Sequence, residues 1–191
     1  DGGEYSDLCI TLLGAHQVAN ASTAVRACTL LGEWGVSIGE GALRRGLREA
    51  RWPGRFEVVR HQPAVVLDCA HNPAAAQKLR AALEEVFPNR SIILVFGVMR
   101  DKDAAGILEV LRPLVHGVVV TRPHLDRAAT IEGLQALAGR CIGCVAAVEE
   151  VPRAVEVALE MADVDGVVCV TGSIFTVAEA RSSLVHAATQ Q

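Results

Sequence analysis

Residues 65–73 place a carboxylate, an imidazole and an amide in one short polar turn. An apolar run typical of a buried strand ends in Asp68, His71 and Asn72 follow, and Pro73 opens an alanine-rich helix. A strand that leads into a helix N-terminus is suited to bind an anion, because free backbone N–H groups and the helix dipole favour negative charge there. The pattern therefore indicates a binding site for an anionic ligand, typically a phosphate, around Asp68 and His71.

Strands and helices alternate beyond residue 52. Apolar runs predict six strands, at residues 56–60, 64–68, 91–96, 117–121, 143–148 and 166–171. Helical periodicity predicts five helices between and after them, at residues 74–86, 104–111, 131–137, 152–162 and 174–186. This alternation predicts an α/β fold with a mostly parallel six-stranded sheet and helices on both faces. The link between the first two strands is too short for a parallel crossover, so we expect one antiparallel edge strand.

The first fifty residues have a helical pattern instead. Periodicity at residues 19–31 predicts one helix, and Ser37 with Glu40 predicts a capping box for a second helix that ends near Glu49. Trp52-Pro53-Gly54 then interrupts the pattern. We therefore expect one domain over residues 1–51 and another over residues 52–191.

Polar residues also follow the other predicted strands, at the edge where parallel sheets bind ligands. They are Arg100 to Asp103, Arg122, His124 and Thr171 to Ser173. The chain contains neither a GxGxxG fingerprint nor a GxxxxGK[ST] phosphate loop. If these 191 residues bind ATP, they therefore do so without the usual phosphate-binding loop.

Composition narrows the possible partners. Hydrophobic residues make up 51% of the chain, charged residues 21% and aromatic residues 4%, which predicts a soluble globular protein with an aliphatic core. The net charge of -4 argues against nucleic acid and anionic membranes as partners. No apolar run is long enough to span a membrane and no signal segment is recognisable, so we expect a cytoplasmic protein.

The six cysteines do not indicate a metal site. Cys141 and Cys144 form a single CxxC, and zinc would need a second pair of ligands at suitable spacing. The pair precedes a predicted strand, whereas a redox-active CxxC usually opens a helix. We expect inert core thiols and no metal ligands in this chain.

Five short motifs occur along the chain in one order: GAHQVANA at 14–21, WPGRFE at 52–57, DCAHNP at 68–73, FG at 96–97 with DKD at 101–103, and GSIF at 172–175. Together they resemble folylpolyglutamate synthase/dihydrofolate synthase, a family of the Mur ligase superfamily. The resemblance extends from about Leu12 to Arg181. Cys69 departs from the small Gly or Ala common in the family, and Cys is small enough to fit.

The resemblance implies a two-domain ligase in which an ATP-binding domain precedes a smaller Rossmann-like domain. This chain resembles the end of the first domain and all of the second. The family's N-terminal portion carries the phosphate loop, the magnesium ligands and most of the folate site, so it is the expected partner of this chain. The implied cofactors are ATP and Mg²⁺, and the implied substrates are L-glutamate and folate or dihydropteroate. ATP would convert a folate carboxylate to an acyl phosphate that the amine of glutamate attacks, and the 191 residues alone are expected to be inactive.

The resemblance also assigns nucleotide contacts. It places Asn20 against the adenine edge, Arg55 on the ATP phosphates, and Asp68 on the ribose hydroxyls. His71 would lie near the phosphates and the acyl intermediate, as the one catalytic candidate and as a hydrogen-bond donor rather than a proton-transfer base. The structural alternatives are a helix N-cap for Asn20, a surface ion pair for Arg55, and a helix cap for Asp68.

Two further residues match positions that face the incoming glutamate. Lys102 and Ser173 would hold its carboxylate, with an ammonium and with donors at a helix start, respectively. Their alternatives are a solvated loop charge and an N-cap. Arg122 and His124 lie at the same predicted edge, but no motif assigns them a role.

Two other functions stay open on the sequence. One is the C-terminal domain of a peptidoglycan Mur ligase, and the other is a stand-alone nucleotide-binding or interaction module. The His16-Gln17 pair and the Trp52 to Arg55 run favour the folate enzyme by resemblance.

Overall fold

The computed structural model describes residues 5–188, which belong to two compact units, Asp1–Trp52 and Pro53–Gln191. The Trp-Pro-Gly break lies at the junction of the units, where proline and glycine interrupt regular structure. That the first unit is the end of an ATP-binding domain stays a prediction.

The first unit contains two helices, α1 (Ala15–Glu33) and α2 (Glu40–Glu49). The predicted capping box is wrong, because Gly39 is the N-cap of α2 and no side chain caps it. The backbone is still extended at Gly39, so the helix begins two residues later than a Ser37 cap requires. Glu40, at the first helical position, instead complements the positive end of the helix dipole.

The second unit is a six-stranded sheet in the order β1-β2-β6-β3-β4-β5. Its strands are β1 (Glu57–His61), β2 (Ala64–Leu67), β3 (Ile92–Phe96), β4 (Val115–Val120), β5 (Val145–Ala147) and β6 (Val167–Thr171). Strand β1 pairs with β2 antiparallel at one edge, and the other neighbours pair in parallel. The predicted sheet and its antiparallel edge strand are confirmed.

Five helices cover the sheet: α3 (Pro73–Val86), α4 (Ala104–Leu111), α5 (Ile131–Ala138), α6 (Val151–Met161) and α7 (Ile174–Ala188). Alternate residues of the strands enter two separate apolar clusters, because successive side chains point to opposite faces. Val66, Leu94 and Val120 pack on the side of α3, α4 and α5. Val65 and Val95 pack on the side of α6 and α7. Helices on both faces explain why the central strands are apolar throughout.

None of the helices in the described residues combines the length and the apolar character needed to cross a membrane.

Candidate functional site

The carboxyl ends of β2, β6 and β3 form a tightly packed edge. The backbone N–H of Gly172 and the hydroxyl of Thr171 both donate to the carbonyl of Ala70, at 3.0 and 3.3 Å. The Thr176 hydroxyl donates to the carbonyl of Gly97 at 2.9 Å. These bonds join the turns that follow three strands, so the backbone that carries the side chains of this edge is held in place.

Asp68 is buried, at 8% exposure, and its carboxylate binds backbone on two sides. Oδ2 accepts from the N–H of Phe56, and Oδ1 accepts from the N–H of Ala70, both at 2.9 Å. Helix α3 is capped by Asn72, whose side chain accepts from the N–H of Ala75, so Asp68 is not a helix cap. The structure gives Asp68 a role that the sequence did not predict, which is to hold the turn before β1 against the end of β2. Its predicted contact with a ribose stays a prediction.

Arg55 projects from that turn as an exposed side chain. Among the described residues its guanidinium makes no hydrogen bond or ion pair, so the surface ion pair considered as the alternative is not formed. Its charge lies close enough to Cys69 to act against the rise in that thiol's pKa. Because this guanidinium makes no such bond within residues 5–188 and lies beside the end of β2, it is available to an anionic ligand.

His71 is exposed, and its Nδ1 lies 2.9 Å from the carbonyl oxygen of Cys69. A carbonyl only accepts hydrogen bonds, so Nδ1 carries a proton in this contact. The other ring nitrogen, Nε2, then accepts in the neutral ring and donates only in the imidazolium. The predicted donor role of His71 therefore requires the protonated ring.

The two residues predicted to hold glutamate already have partners. The Lys102 ammonium is 2.7 Å from the Asp101 carboxylate, and this hydrogen bond lowers the pKa of Asp101. Ser173 is buried, and its hydroxyl oxygen accepts from the N–H of Phe175 at 3.1 Å. Ser173 thus caps the start of α7, as the structural alternative proposed. Binding of glutamate by either residue stays a prediction.

Asn20 lies in the other unit, where it is an interior residue of α1 rather than an N-cap. Its side-chain Nδ2 donates to Oε1 of Gln17 at 2.9 Å, and Gln17 is buried. The amide is therefore oriented by the helix, which is compatible with the predicted adenine contact.

The cysteines are only partly as predicted. Cys169 is fully buried in β6, and Cys69 is half-buried. Burial, and secondarily the Asp68 carboxylate, raises the pKa of Cys69 to about 11, so this thiol is protonated at neutral pH. Cys144 is exposed, which corrects the expectation of a core thiol, because β5 is a three-residue edge strand that begins only at Val145. Within residues 5–188, no group of three or more His, Cys, Asp or Glu side chains is arranged to hold a metal ion.

Sequence reasoning missed three side-chain contacts that link distant elements. Arg181 in α7 binds Glu57 at the start of β1, and the Arg127 guanidinium lies 5.5 Å from the ring centre of Phe175. The third contact is made by His124. Each pair is far apart along the chain, so no local pattern indicates it.

His124 lies between two carboxylates. Its Nδ1 is 3.3 Å from Glu179 of α7, and its Nε2 is 3.2 Å from Glu150, the N-cap residue of α6. The backbone N–H of His124 also donates to Glu179 at 2.8 Å. The three residues line an open surface cavity of about 610 Å³. The bond to Glu179 first, and the charge of Glu150 next, raise the pKa of His124.

This arrangement predicts a pH-dependent stability. The protonated ring is favoured in the folded protein, so its stabilising effect is complete below the ordinary histidine pKa of about 6.5 and is lost as the pH rises through the higher folded-state value. We expect His124→Gln to lower the urea midpoint more at pH 5.5 than at pH 8.5. His116→Gln is the control, since the hydrogen bond of that exposed histidine within the described residues is with the carbonyl of Leu114 and not with a carboxylate. A His124→Gln loss that is the same at both pH values would contradict the prediction.

Residues 54–174, well over half of the chain, match the family model described as Mur ligase, glutamate ligase domain. The chain belongs to the Mur ligase family. The match begins at Gly54, beside Arg55, and ends at Ile174, the first residue of α7, so it includes the whole carboxyl edge of this glutamate ligase domain.

Among curated relatives, the glutamate ligase domain and the helices before it are 40% identical over 185 residues to a probable bifunctional folylpolyglutamate synthase/dihydropteroate synthase of Haloferax volcanii. That alignment covers 96% of this chain and 22% of the relative. A dihydrofolate synthase/folylpolyglutamate synthase of Mycobacterium tuberculosis is 37% identical over 166 residues, covering 85% of this chain and 34% of the relative. The chain therefore spans between about a fifth and a third of the length of these two relatives.

Solved structures agree with this relationship. The folylpolyglutamate synthase of Mycobacterium tuberculosis, complexed with ADP and AMPPCP, superposes with a TM-score of 0.86 at 34% identity, covering 96% of this chain and 43% of that structure. The Escherichia coli FolC in complex with DHPP and ADP has a TM-score of 0.83 at 32% identity, covering 99% of this chain and 43% of that structure. The relatives and structures named here carry the names of folylpolyglutamate synthases, dihydrofolate synthases or FolC, and none of these is named as a peptidoglycan ligase.

Proposed function

We propose that this chain is the C-terminal part of an ATP-dependent ligase that adds L-glutamate to folate or dihydropteroate. The observation that carries the proposal is the turn that contains Arg55, which Asp68 holds at the carboxyl edge of a Mur ligase domain. The Arg55 guanidinium is exposed and has no hydrogen-bond partner among the described residues. The naming of the relatives as folylpolyglutamate and dihydrofolate synthases supports the substrate class. The complexes of the neighbours with ADP, AMPPCP and DHPP are consistent with a nucleotide and a folate substrate.

In this proposal the chain binds and orients reactants. Arg55 neutralises charge on the phosphates of ATP, because a guanidinium can donate two parallel hydrogen bonds to phosphate oxygens. His71, in its imidazolium form, donates from Nε2 to the phosphoryl oxygens that carry charge during transfer. Asp68 keeps the turn in place and accepts hydrogen bonds from the ribose hydroxyls. Asn20 contacts the adenine.

The glutamate would be held by Lys102 and Ser173. The Lys102 ammonium attracts its carboxylate, and the start of α7 at Ser173 offers backbone N–H groups to the same group. In the proposed reaction, ATP first phosphorylates the folate carboxylate to an acyl phosphate. The amine of glutamate then attacks this acyl phosphate, forming the amide bond and releasing phosphate. In this proposal the main contribution of these residues to catalysis is to hold the two reactants in position.

Magnesium is assigned to another part of the ligase. The described residues bring together no cluster of oxygen ligands for a divalent cation, and the chain contains no GxxxxGK[ST] loop. No step of the proposed reaction depends on a metal ion held by this chain. The proposed partner is an N-terminal ATPase domain, which would supply the metal ligands and the phosphate loop. The relatives are long enough to contain such a domain, since this chain covers 34% of one of them. Within the cell, we place the reaction in the cytoplasm.

We expect the purified 191-residue chain to show no ligation, because it lacks the loop that would hold the phosphates during transfer. The measurement is ATP- and glutamate-dependent glutamylation of folate and dihydropteroate by mass spectrometry. The native full-length polypeptide, assayed beside it, should be active. Turnover by the 191 residues alone would contradict the assignment of phosphate binding to another domain.

In the native full-length polypeptide, Arg55→Ala should raise the apparent KM for ATP roughly 10- to 100-fold. A hydrogen bond between charged groups contributes about 1.5–3 kcal/mol, which corresponds to that range. Lys102→Ala should change the same KM less than about threefold, since the ammonium is paired with Asp101.

The control is Arg112→Ala, an exposed arginine near the amino end of β4, at the opposite edge of the sheet. It should leave the KM for ATP unchanged. An unchanged KM in Arg55→Ala would remove Arg55 from the nucleotide site.

A further inference from the structure

The turn that carries Arg55 is held by a carboxylate of its own. Oε2 of Glu57, the first residue of β1, accepts from the backbone N–H of Gly54 at 2.8 Å. The Nε of Arg181, in α7, donates to both carboxylate oxygens of Glu57, at 3.1 and 3.0 Å. The Glu57 side chain thus joins the residue before Arg55 to Arg181, which lies 124 positions after Glu57 in the chain.

Two other bonds fix the same turn against the end of β2. The carbonyl of Gly54 accepts from the N–H of Cys69 at 2.9 Å, and the N–H of Phe56 donates to Asp68 at 2.9 Å. The residues on either side of Arg55 are therefore both tied down, whereas the Arg55 side chain is left exposed.

The backbone of the turn needs such support. Gly54 has φ +71° and Phe56 has φ +45°, and for Phe56 this left-handed conformation is unfavourable. A Cβ on Gly54 would lie 2.9 Å from both Sγ of Cys69 and Cγ1 of Val177. The turn is thus pressed against β2 and α7, in a conformation that the surrounding bonds must maintain.

The ion pair itself contributes little to global stability. The Glu57 side chain is 24% exposed and that of Arg181 is 37% exposed, and solvent weakens ion pairs at such positions. Its geometry, with both oxygens bound by Arg181 and one shared with the turn, points to local orientation instead.

We propose that Glu57, oriented by Arg181, is a positioning residue that places the Arg55 guanidinium for its ligand. Neither residue needs to touch ATP. The inference rests on the proposed function in one respect, namely that the ligand of Arg55 is the phosphate group of ATP. The positional link between Glu57 and the Arg55 turn can be tested separately.

The first test is a double-mutant cycle in the native full-length polypeptide. Glu57→Ala should raise the apparent KM for ATP about 3- to 10-fold with kcat changed less than twofold, and Glu57→Gln, which keeps one acceptor oxygen for Gly54, should have a smaller effect. In an Arg55→Ala background, Glu57→Ala should add less than about 1.5-fold. Equal increases in both backgrounds would overturn the proposal, because Glu57 would then act independently of Arg55.

The matched control is Glu84→Ala. Glu84 accepts from Nε of Arg80 at 3.0 Å, the same kind of bond as that between Glu57 and Arg181, but within α3. It should leave the KM for ATP unchanged. An effect as large as that of Glu57→Ala would show that loss of any such ion pair weakens ATP use, and would overturn the proposal.

The second test does not depend on ATP. Hydrogen exchange by mass spectrometry on the same polypeptides should show faster exchange in residues 54–70 of Glu57→Ala and unchanged exchange in β3. If Arg55→Ala leaves the KM for ATP unaltered, the proposed function of Arg55 fails, and this measurement alone decides the positional link. Unaltered exchange of the Phe56 and Cys69 amides in both Glu57 variants would overturn it.

Discussion

Replacing Gly172 with alanine is expected to lower the free energy of unfolding by about 2–5 kcal/mol. Gly172 has φ +104°, which a residue with a side chain rarely adopts. A Cβ there would lie 2.6 Å from the carbonyl oxygen of Gly97 and 2.9 Å from the ring of Phe96. The first of these atoms is backbone at the end of the neighbouring strand, so relief of the clash requires β3 and β6 to separate.

The measurement is the urea denaturation of Gly172→Ala, with Gly143→Ala as the matched control. Gly143 has no neighbouring atom within 4 Å of an added Cβ and no positive φ, so the same substitution should change stability by less than about 1 kcal/mol. A Gly172→Ala protein as stable as the Gly143→Ala protein would show that the edge of the sheet is looser than the structure indicates.

Asp68→Ala is expected to destabilise the second unit by about 2–5 kcal/mol and also to weaken nucleotide use. The substitution leaves the backbone N–H groups of Phe56 and Ala70 without acceptors, and each unpaired buried N–H costs about 1–3 kcal/mol. Because the Phe56 bond also holds the Arg55 turn, the KM for ATP should rise at least as much as in Arg55→Ala. Asp68→Asn should have an intermediate effect, since its one carbonyl oxygen replaces only one of the two acceptors.

Asp103→Ala is the control, because it removes another carboxylate that binds a backbone N–H but lies outside the Arg55 turn. Asp103 accepts a backbone N–H from Gly106 at 2.8 Å as the exposed N-cap of α4, so its removal should cost about 1 kcal/mol. Chemical denaturation and the apparent KM for ATP of the native full-length polypeptide are the two measurements. An Asp68→Ala protein with unchanged apparent ATP affinity would contradict the proposed nucleotide site.

The sheet was predictable because its signals are local. A strand buried on both faces must be apolar at every position, as in Ile92–Phe96, and the helices between such strands repeat with their own period. The short link before Ala64 was enough to predict the antiparallel edge. Where two local signals competed, as at Ser37 and Gly39, the pattern alone misplaced the start of α2.

The binding roles of the candidate residues stay predictions, and the sequence predicted only which residues lie at the carboxyl edge of the sheet. The residues at the carboxyl edge follow from the strand ends, but their hydrogen bonds join positions far apart in the chain. The bond from Arg181 to Glu57 spans 124 positions, and that from His124 to Glu179 spans 55. Such contacts depend on the register of packed elements, which no short pattern encodes. Hence only the structure shows that Asp68 and Glu57 hold the Arg55 turn in place.

The antiparallel direction of strand β1 decides at which edge of the sheet the second unit begins. In the register of the hairpin, Glu57 faces Leu67, so the chain enters the sheet beside the carboxyl end of β2. The residues just before β1, which include Arg55, are thereby brought to the edge that carries Asp68 and His71. If β1 ran parallel to β2 it would begin at the amino edge, and Arg55 would then lie a strand's length, roughly 15 Å, from Asp68. The direction of one edge strand thus decides which loop can contribute to the carboxyl edge.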